Sequence, residues 1–296
     1  MKKYNNQAKI SLGLLAVTAS LVSAVALAET TTTTSIPTPS SSGTSTTSLK
    51  SETALDHIGV TYFGIFSGPS VGTPNRFQPD SQGALDPTSP QQLESFLTTG
   101  YKWDNGNKLV GAVADFIYTP FNGQDLMMKD PAFKIGDKKL WTLGGVTDNA
   151  DLRIFAPTSA AAVKGKEITA FQTLHIVSYD VPHSRLSLGT YFVAKLSLYQ
   201  DGGSGKAFQL YLGPNASYQL SKTVQATLLY EVNAKHMYGS NVGFWDMSRD
   251  GTDLEPGINW DITPNFSINP FLNINSGGKV SMDSTWAGFY ASGKFL

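Results

Sequence analysis

The feature that most constrains this chain is a strict alternation of apolar and polar residues, repeated in long segments through its C-terminal half. From Arg185 to Tyr199, Leu186, Leu188, Phe192, Ala194, Leu196 and Leu198 alternate with Arg185, Ser187, Gly189, Tyr191, Lys195 and Ser197. Successive side chains of a strand point to opposite faces, so such a segment is a strand with one greasy and one polar face. The same parity returns in Phe208, Leu210, Leu212, Ala216, Tyr218 and Leu220 against Gln209, Tyr211, Asn215, Ser217 and Gln219. It recurs in Val224 to Lys235, Leu254 to Ile262 and Phe266 to Asn275. These segments run about 10 to 15 residues. Globular strands typically have roughly 5 or 6, whereas a tilted transmembrane strand needs roughly 9 to 11.

The polar face decides what the strands enclose. It is mostly Asn, Gln, Ser, Thr, Tyr and Gly, and only 15% of the whole chain is charged, against roughly a quarter in an ordinary soluble domain. A solvent-facing sheet would carry more Lys and Glu, so this face suits a hydrated lumen. No uncharged apolar run beyond the N-terminus is long enough for a membrane helix. Without helices, a chain spans a bilayer by closing a barrel. Aromatic residues near the strand ends, Trp103, Tyr118, Tyr199, Tyr218, Tyr238, Trp260 and Trp286, are expected to form the two interfacial girdles.

Earlier segments are less regular but legible at Ile58 to Phe66, Phe96 to Trp103, Lys108 to Thr119, Asp148 to Ala156 and Ile168 to Tyr179. Asp104-Asn105-Gly106-Asn107 predicts a tight hairpin, because Asn-Gly readily supplies positive φ. Short turns at 182–184, 220–222 and 263–265 alternate with longer connections, as in barrels with short periplasmic turns and long outer loops. With the last segment, from Thr285, eleven strands can be read directly, and an even number is required. A twelfth is therefore expected around Phe133 to Leu143, where Lys134, Lys138 and Lys139 obscure the alternation. The predicted fold is all-β, an antiparallel up-and-down transmembrane barrel over residues 56–296, of twelve strands with ten as the alternative.

Ahead of it, Met1-Lys2-Lys3 and Lys9 precede an apolar run ending in Ala26-Leu27-Ala28, the pattern of a signal peptide over residues 1–28. Residues 29–55 are Ser, Thr and Pro with few large apolar groups, and predict a disordered periplasmic tether. With no cysteine, the chain has no disulfide framework, thiol nucleophile or lipid-attachment site. Removing the three leader lysines takes the formal charge from −1 to about −4, with 22 less 3 basic residues against 23 acidic. That balance argues against nucleic acid as a partner.

The leader, the two-faced strands and the final segment Thr285-Trp-Ala-Gly-Phe-Tyr-Ala-Ser-Gly-Lys-Phe-Leu296 together resemble the small, porin-like outer-membrane β-barrel proteins of Gram-negative bacteria. In that final segment Ala287, Phe289, Ala291 and Phe295 match the family's terminal strand, with Leu296 as an overhang. The resemblance implies a bacterial outer-membrane location and contact with outer-membrane lipid and lipopolysaccharide. It also implies recognition of the 285–296 strand by the barrel-assembly machinery.

Among chemical signals, the charges on the presumed lumen face carry most: Asp115, Asp151, Arg153, Arg185, Lys195, Glu231, Lys235 and Glu255. Both signs occur in similar numbers, unlike a pore lined to favour one ion, and paired across the lumen they would narrow it. No cofactor or metal is expected: Asp246, Asp250 and Asp253 lack calcium-loop spacing, and no histidines are paired at ligand spacing. Two functions follow. One is an outer-membrane barrel serving as a narrow channel for small polar solutes, or as a structural protein whose loops meet partners. The other is a barrel enzyme acting on lipid or lipopolysaccharide with His175 or His236 as base, although no catalytic residue is assigned.

Overall fold

A computed structural model describes residues 57–75, 77–79, 85–121, 125–278 and 280–295. The leader and tether expected over 1–28 and 29–55, and the overhang Leu296, lie outside the described residues.

The long alternating segments are strands, and the neighbour of each in sequence is its neighbour in space. In chain order the wall is β1 (Ile58–Ser70), β2 (Gln92–Trp103), β3 (Lys108–Thr119), β4 (Ala132–Leu143), β5 (Val146–Phe155), β6 (Glu167–Asp180), β7 (Leu186–Tyr199), β8 (Lys206–Gln219), β9 (Val224–Met237), β10 (Ser248–Thr263), β11 (Phe266–Asn275) and β12 (Thr285–Lys294). Each pairs antiparallel with the next, and β12 returns to β1 in a register from Thr61 opposite Lys294 to Ser67 opposite Gly288. The result is a closed barrel of twelve strands, the even count that the sequence required. Closure leaves no edge strand with unpaired backbone, which is the condition for a sheet in hydrocarbon.

The strand hidden in the sequence is β4, and its geometry explains why. Between Asp137 and Trp141 its register against β5 slips by a bulge, so Lys138 and Lys139 sit exposed on the bulged segment and the alternation breaks. At its other end a short strand, Asp125–Met128, pairs with the end of β3, and Lys129 to Pro131 form a second irregularity before Ala132 resumes the pairing. The Lys129 amide still bonds the Asp115 carbonyl at 2.8 Å.

Every short connection lies at one end of the barrel and every long one at the other. Asp104, Asn105 and Gly106 adopt positive φ in the predicted hairpin, and Gly144-Gly145 makes a two-residue turn with φ of 59° and 85°, the conformation a tight hairpin demands. At the loop end, Phe77–Pro79 pairs with Leu85–Pro90. The five-residue helix α1 (Ala160–Lys164), capped by Ser159, sits between β5 and β6. Residues 70–73 are tied to 282–285 by backbone bonds and by Thr73 Oγ1 donating to Asp283 Oδ1 at 2.8 Å.

Outward-facing Phe133, Ile135, Leu152, Ile154, Phe171, Leu188, Leu198, Leu212, Leu228, Ile258 and Leu272 are all exposed. An apolar band of that extent is a lipid-facing surface. No described helix is long and apolar enough to cross a membrane.

The candidate lumen site

Because directly paired residues share a face of the sheet, the inward set can be followed from strand to strand. One cavity of about 1430 Å³ occupies the interior, reaching Gly106, Asn107, Pro264 and Asn265 at the turn end and Lys129, Ser159 and Ser204 at the loop end. It runs the length of the barrel.

Its middle is apolar. Leu174, Tyr191 and Leu229 form an inward cluster, each 7% exposed, with Ile176, Val193 and Tyr211 packed on it. Tyr191 lies flat over its cross-strand partner Gly213, where an added Cβ would come within 2.2 Å of the ring. Glycine here makes room for the aromatic ring.

Towards the loop end the lumen becomes charged, and the charge is divided. Along β2 to β5, Lys134 Nζ is 2.9 Å from Asp151 Oδ2 and Arg153 grips the same carboxylate with two bonds of 3.0 Å. Lys129 reaches in from its irregular segment to Glu94 and, at 3.4 Å, to Asp115. Lys195 stands over the Phe155 ring, 4.4 Å from its centroid. All these ion pairs run along the wall between neighbouring segments and do not cross the lumen.

The opposite wall, six strands away around the ring, is acidic. Glu231 on β9 is the cross-strand partner of Asp253 on β10, and Glu255 follows two residues on. Asn273 Nδ2 donates to Glu255 Oε1 at 2.8 Å, the Tyr290 hydroxyl donates to Glu255 Oε2 at 2.5 Å, and Asn233 Nδ2 donates to Glu231 Oε1 at 2.9 Å. Among the described residues no salt bridge reaches these three carboxylates. Beside them stands a row of inward rings, Phe96, Phe63, Tyr290 and Phe271, stacked at centroid distances of 6.1, 5.9 and 4.5 Å.

Of the charges chosen from sequence, Asp115, Asp151, Arg153, Lys195 and Glu255 line the cavity. Glu231 and Lys235 have the same inward parity on β9 but lie outside the cavity lining. Arg185 lies in the exposed turn before β7, because the strand starts one residue later than the alternation suggests. Glu94, Lys129 and Lys134 also line the cavity and Asp253 shares the inward parity of Glu255, although none of the four was singled out as a lumen charge. Asp253 read as a loop acid because β10 begins at Ser248, ahead of its apolar pattern.

Among the aromatics, Trp103, Tyr218 and Trp260 are exposed on the outer wall near the turn end, and Tyr118 faces outward near the loop end. Tyr199 and Trp286 have inward parity instead. Tyr199 lines the cavity mouth and packs on Tyr238, with centroids 5.0 Å apart, while Trp286 sets its edge against Phe271. An aromatic residue at a strand end suits either surface, and parity with Lys195 and Tyr290 identifies these two.

His175 lies on the outward parity of β6, opposite Phe192 and Ala150. It is nonetheless 1% exposed, its Nδ1 is 3.2 Å from Asp148 Oδ2, and Asp148 is 0% exposed. His236 packs on Phe244. Among the described residues no group of three or more metal-ligating side chains is set to hold a metal.

No family model matches the sequence, and no curated protein matches it. Among solved structures the fold is similar to an outer membrane channel from Pseudomonas putida F1, with a TM-score of 0.51 at 8% identity over 80% of this chain and 94% of that one. A membrane-protein structure from work on in-meso crystallization aligns with a TM-score of 0.43 at 10% identity, over 81% of this chain and 83% of that one.

Proposed function

We propose that the chain is an integral barrel of the bacterial outer membrane that acts as a narrow channel for small polar solutes. The observation that carries this reading is a cavity lined from the turn end to the loop end inside a closed wall. Its ends are polar and its waist is the Leu174–Tyr191–Leu229 cluster, a construction that lets water and small solutes pass while limiting size. The similarity to an outer membrane channel supports the same reading. In this orientation the short turns and both chain ends face the periplasm, the long loops face outward, and lipopolysaccharide meets the outer half of the apolar band.

The test is a planar-bilayer recording of the full chain, joined with liposome swelling in graded sugars. Discrete conductance and uptake that falls with sugar size are expected. A barrel that forms heat-modifiable bands but neither conducts nor swells liposomes would overturn the channel in favour of a structural role. The enzymatic reading draws no comparable support, since His175 is committed to Asp148 within the wall. Hydrolysis of lipid or lipopolysaccharide that is lost in His175→Ala or His236→Ala would establish it.

A further inference from the structure

On the acidic wall of the lumen, three amide oxygens lie buried without a hydrogen-bond partner. Asn273 is 3% exposed, yet its Oδ1 has no hydrogen-bond partner, and the side-chain oxygens of Asn233 and Asn275 are likewise buried and unpartnered. Turning the amides of Asn233 and Asn273 round does not help. The nitrogens of Asn233 and Asn273 are held by Glu231 and Glu255, and a flipped amide would set oxygen against carboxylate. Asn273, whose Nδ2 donates to Glu255, also interacts with Asp253, so the side chain that carries the unpartnered oxygen belongs to the same cluster. Carboxylates and amide oxygens gathered without a cation make a site that asks for a ligand with donors and positive charge.

The spacing narrows the ligand further. Glu231 and Asp253 face each other, and Glu255 stands two residues away, about 7 Å along the strand. That is too wide for a bare metal ion at 2.0–2.6 Å from each oxygen, in keeping with the absence of a metal-ready group among the described residues. It suits a guanidinium, whose planar fork carries five donors and no acceptor. The stacked rings of Phe63, Tyr290 and Phe271 give the adjoining wall the apolar surface that the carbon part of such a solute would cover. Glu255, Phe271 and Tyr290 line the cavity, so the corner meets the lumen at Glu255, while Glu231, Asp253 and Asn273 lie outside the lining.

We infer that this corner, formed by Glu231, Asp253, Glu255 and Asn273 beside Tyr290 and Phe271, is a binding subsite for the guanidinium or ammonium head of a small organic cation. The inference rests on the channel reading for its biological setting, but its test does not. Calorimetric titration of the refolded full chain in detergent, with butylguanidine and its neutral isostere butylurea, is expected to give saturable binding of the cation alone. Glu255→Gln is expected to weaken that binding by about tenfold or more, and Tyr290→Phe, which removes only the hydroxyl, to weaken it less. Asp104→Asn, which removes a carboxylate from an exposed turn, is expected to leave it unchanged. Heat-modifiable mobility reports whether each variant is folded. Equal binding of butylurea, no binding of either, the same response in Asp104→Asn as in Glu255→Gln, or displacement of butylguanidine by stoichiometric calcium would each overturn the inference. A barrel that binds but does not conduct would overturn the channel alone, and one that conducts but does not bind would overturn the subsite alone.

Discussion

The two halves of the wall hold their charge in opposite ways. From β2 to β5 every inward carboxylate has a cation beside it: Asp151 holds Lys134 and Arg153, and Glu94 and Asp115 share Lys129. From β9 to β11 the carboxylates are met by amides and a phenol, and the neighbouring wall is shaped by rings laid over glycines. The Lys129 pairs reach from an interrupted segment, where the backbone ladder is weakest, to β2 and β3, and the Lys134–Asp151 pair joins β4 to β5 ahead of the bulge. Ring-on-glycine packing needs regular strands, since each ring must lie over its direct partner.

Three substitutions test that contrast. The largest effect is expected from Asp151→Ala, which leaves Lys134 and Arg153 facing each other in a poorly solvated corner, at a cost of about 3 kcal/mol. Urea unfolding in vesicles would measure it. A loss no larger than that of an exposed charge would mean that the pairs do not hold the irregular half together. Next comes Gly213→Val, which drives a side chain into the Tyr191 ring, at roughly 1–3 kcal/mol. It should also alter single-channel conductance, because the displaced ring stands at the waist. Unchanged stability and conductance would show that Tyr191 moves aside freely. The smallest effect is expected from Glu255→Gln, whose oxygen still accepts from Asn273 while its new amide nitrogen can donate to the Tyr290 oxygen, at less than about 1 kcal/mol. If its cost equalled that of Asp151→Ala, the distinction between the halves would fail.

The same contrast governs what the sequence disclosed. In β7 to β12 the alternation is uninterrupted enough to mark strands, faces and most inward charges. In β4 it fails because Lys134 points into the lumen while Lys138 and Lys139 ride on a bulge, so three lysines in one segment serve two different surroundings. Only the need for an even count exposed that strand. Lys129 was invisible for a related reason: it lies between two paired segments, where parity has no meaning, and only pairing in space brings it to Asp115. The acceptor-rich corner was half legible. Glu231 and Glu255 fall on the inward parity, but their lack of cations depends on which strands close the ring opposite them. Asn273 was one polar residue among many until its burial was known.

The His175–Asp148 contact has a consequence for how the barrel is made. Both groups share the outward parity of the wall and are buried against each other across β5 and β6, with Trp141 of β4 also hydrogen-bonded to Asp148. Separated, either strand would carry an unmated ionisable group into hydrocarbon, where such groups cost several kcal/mol. Pairing of these two strands therefore removes a cost that either would carry alone on the lipid-facing side.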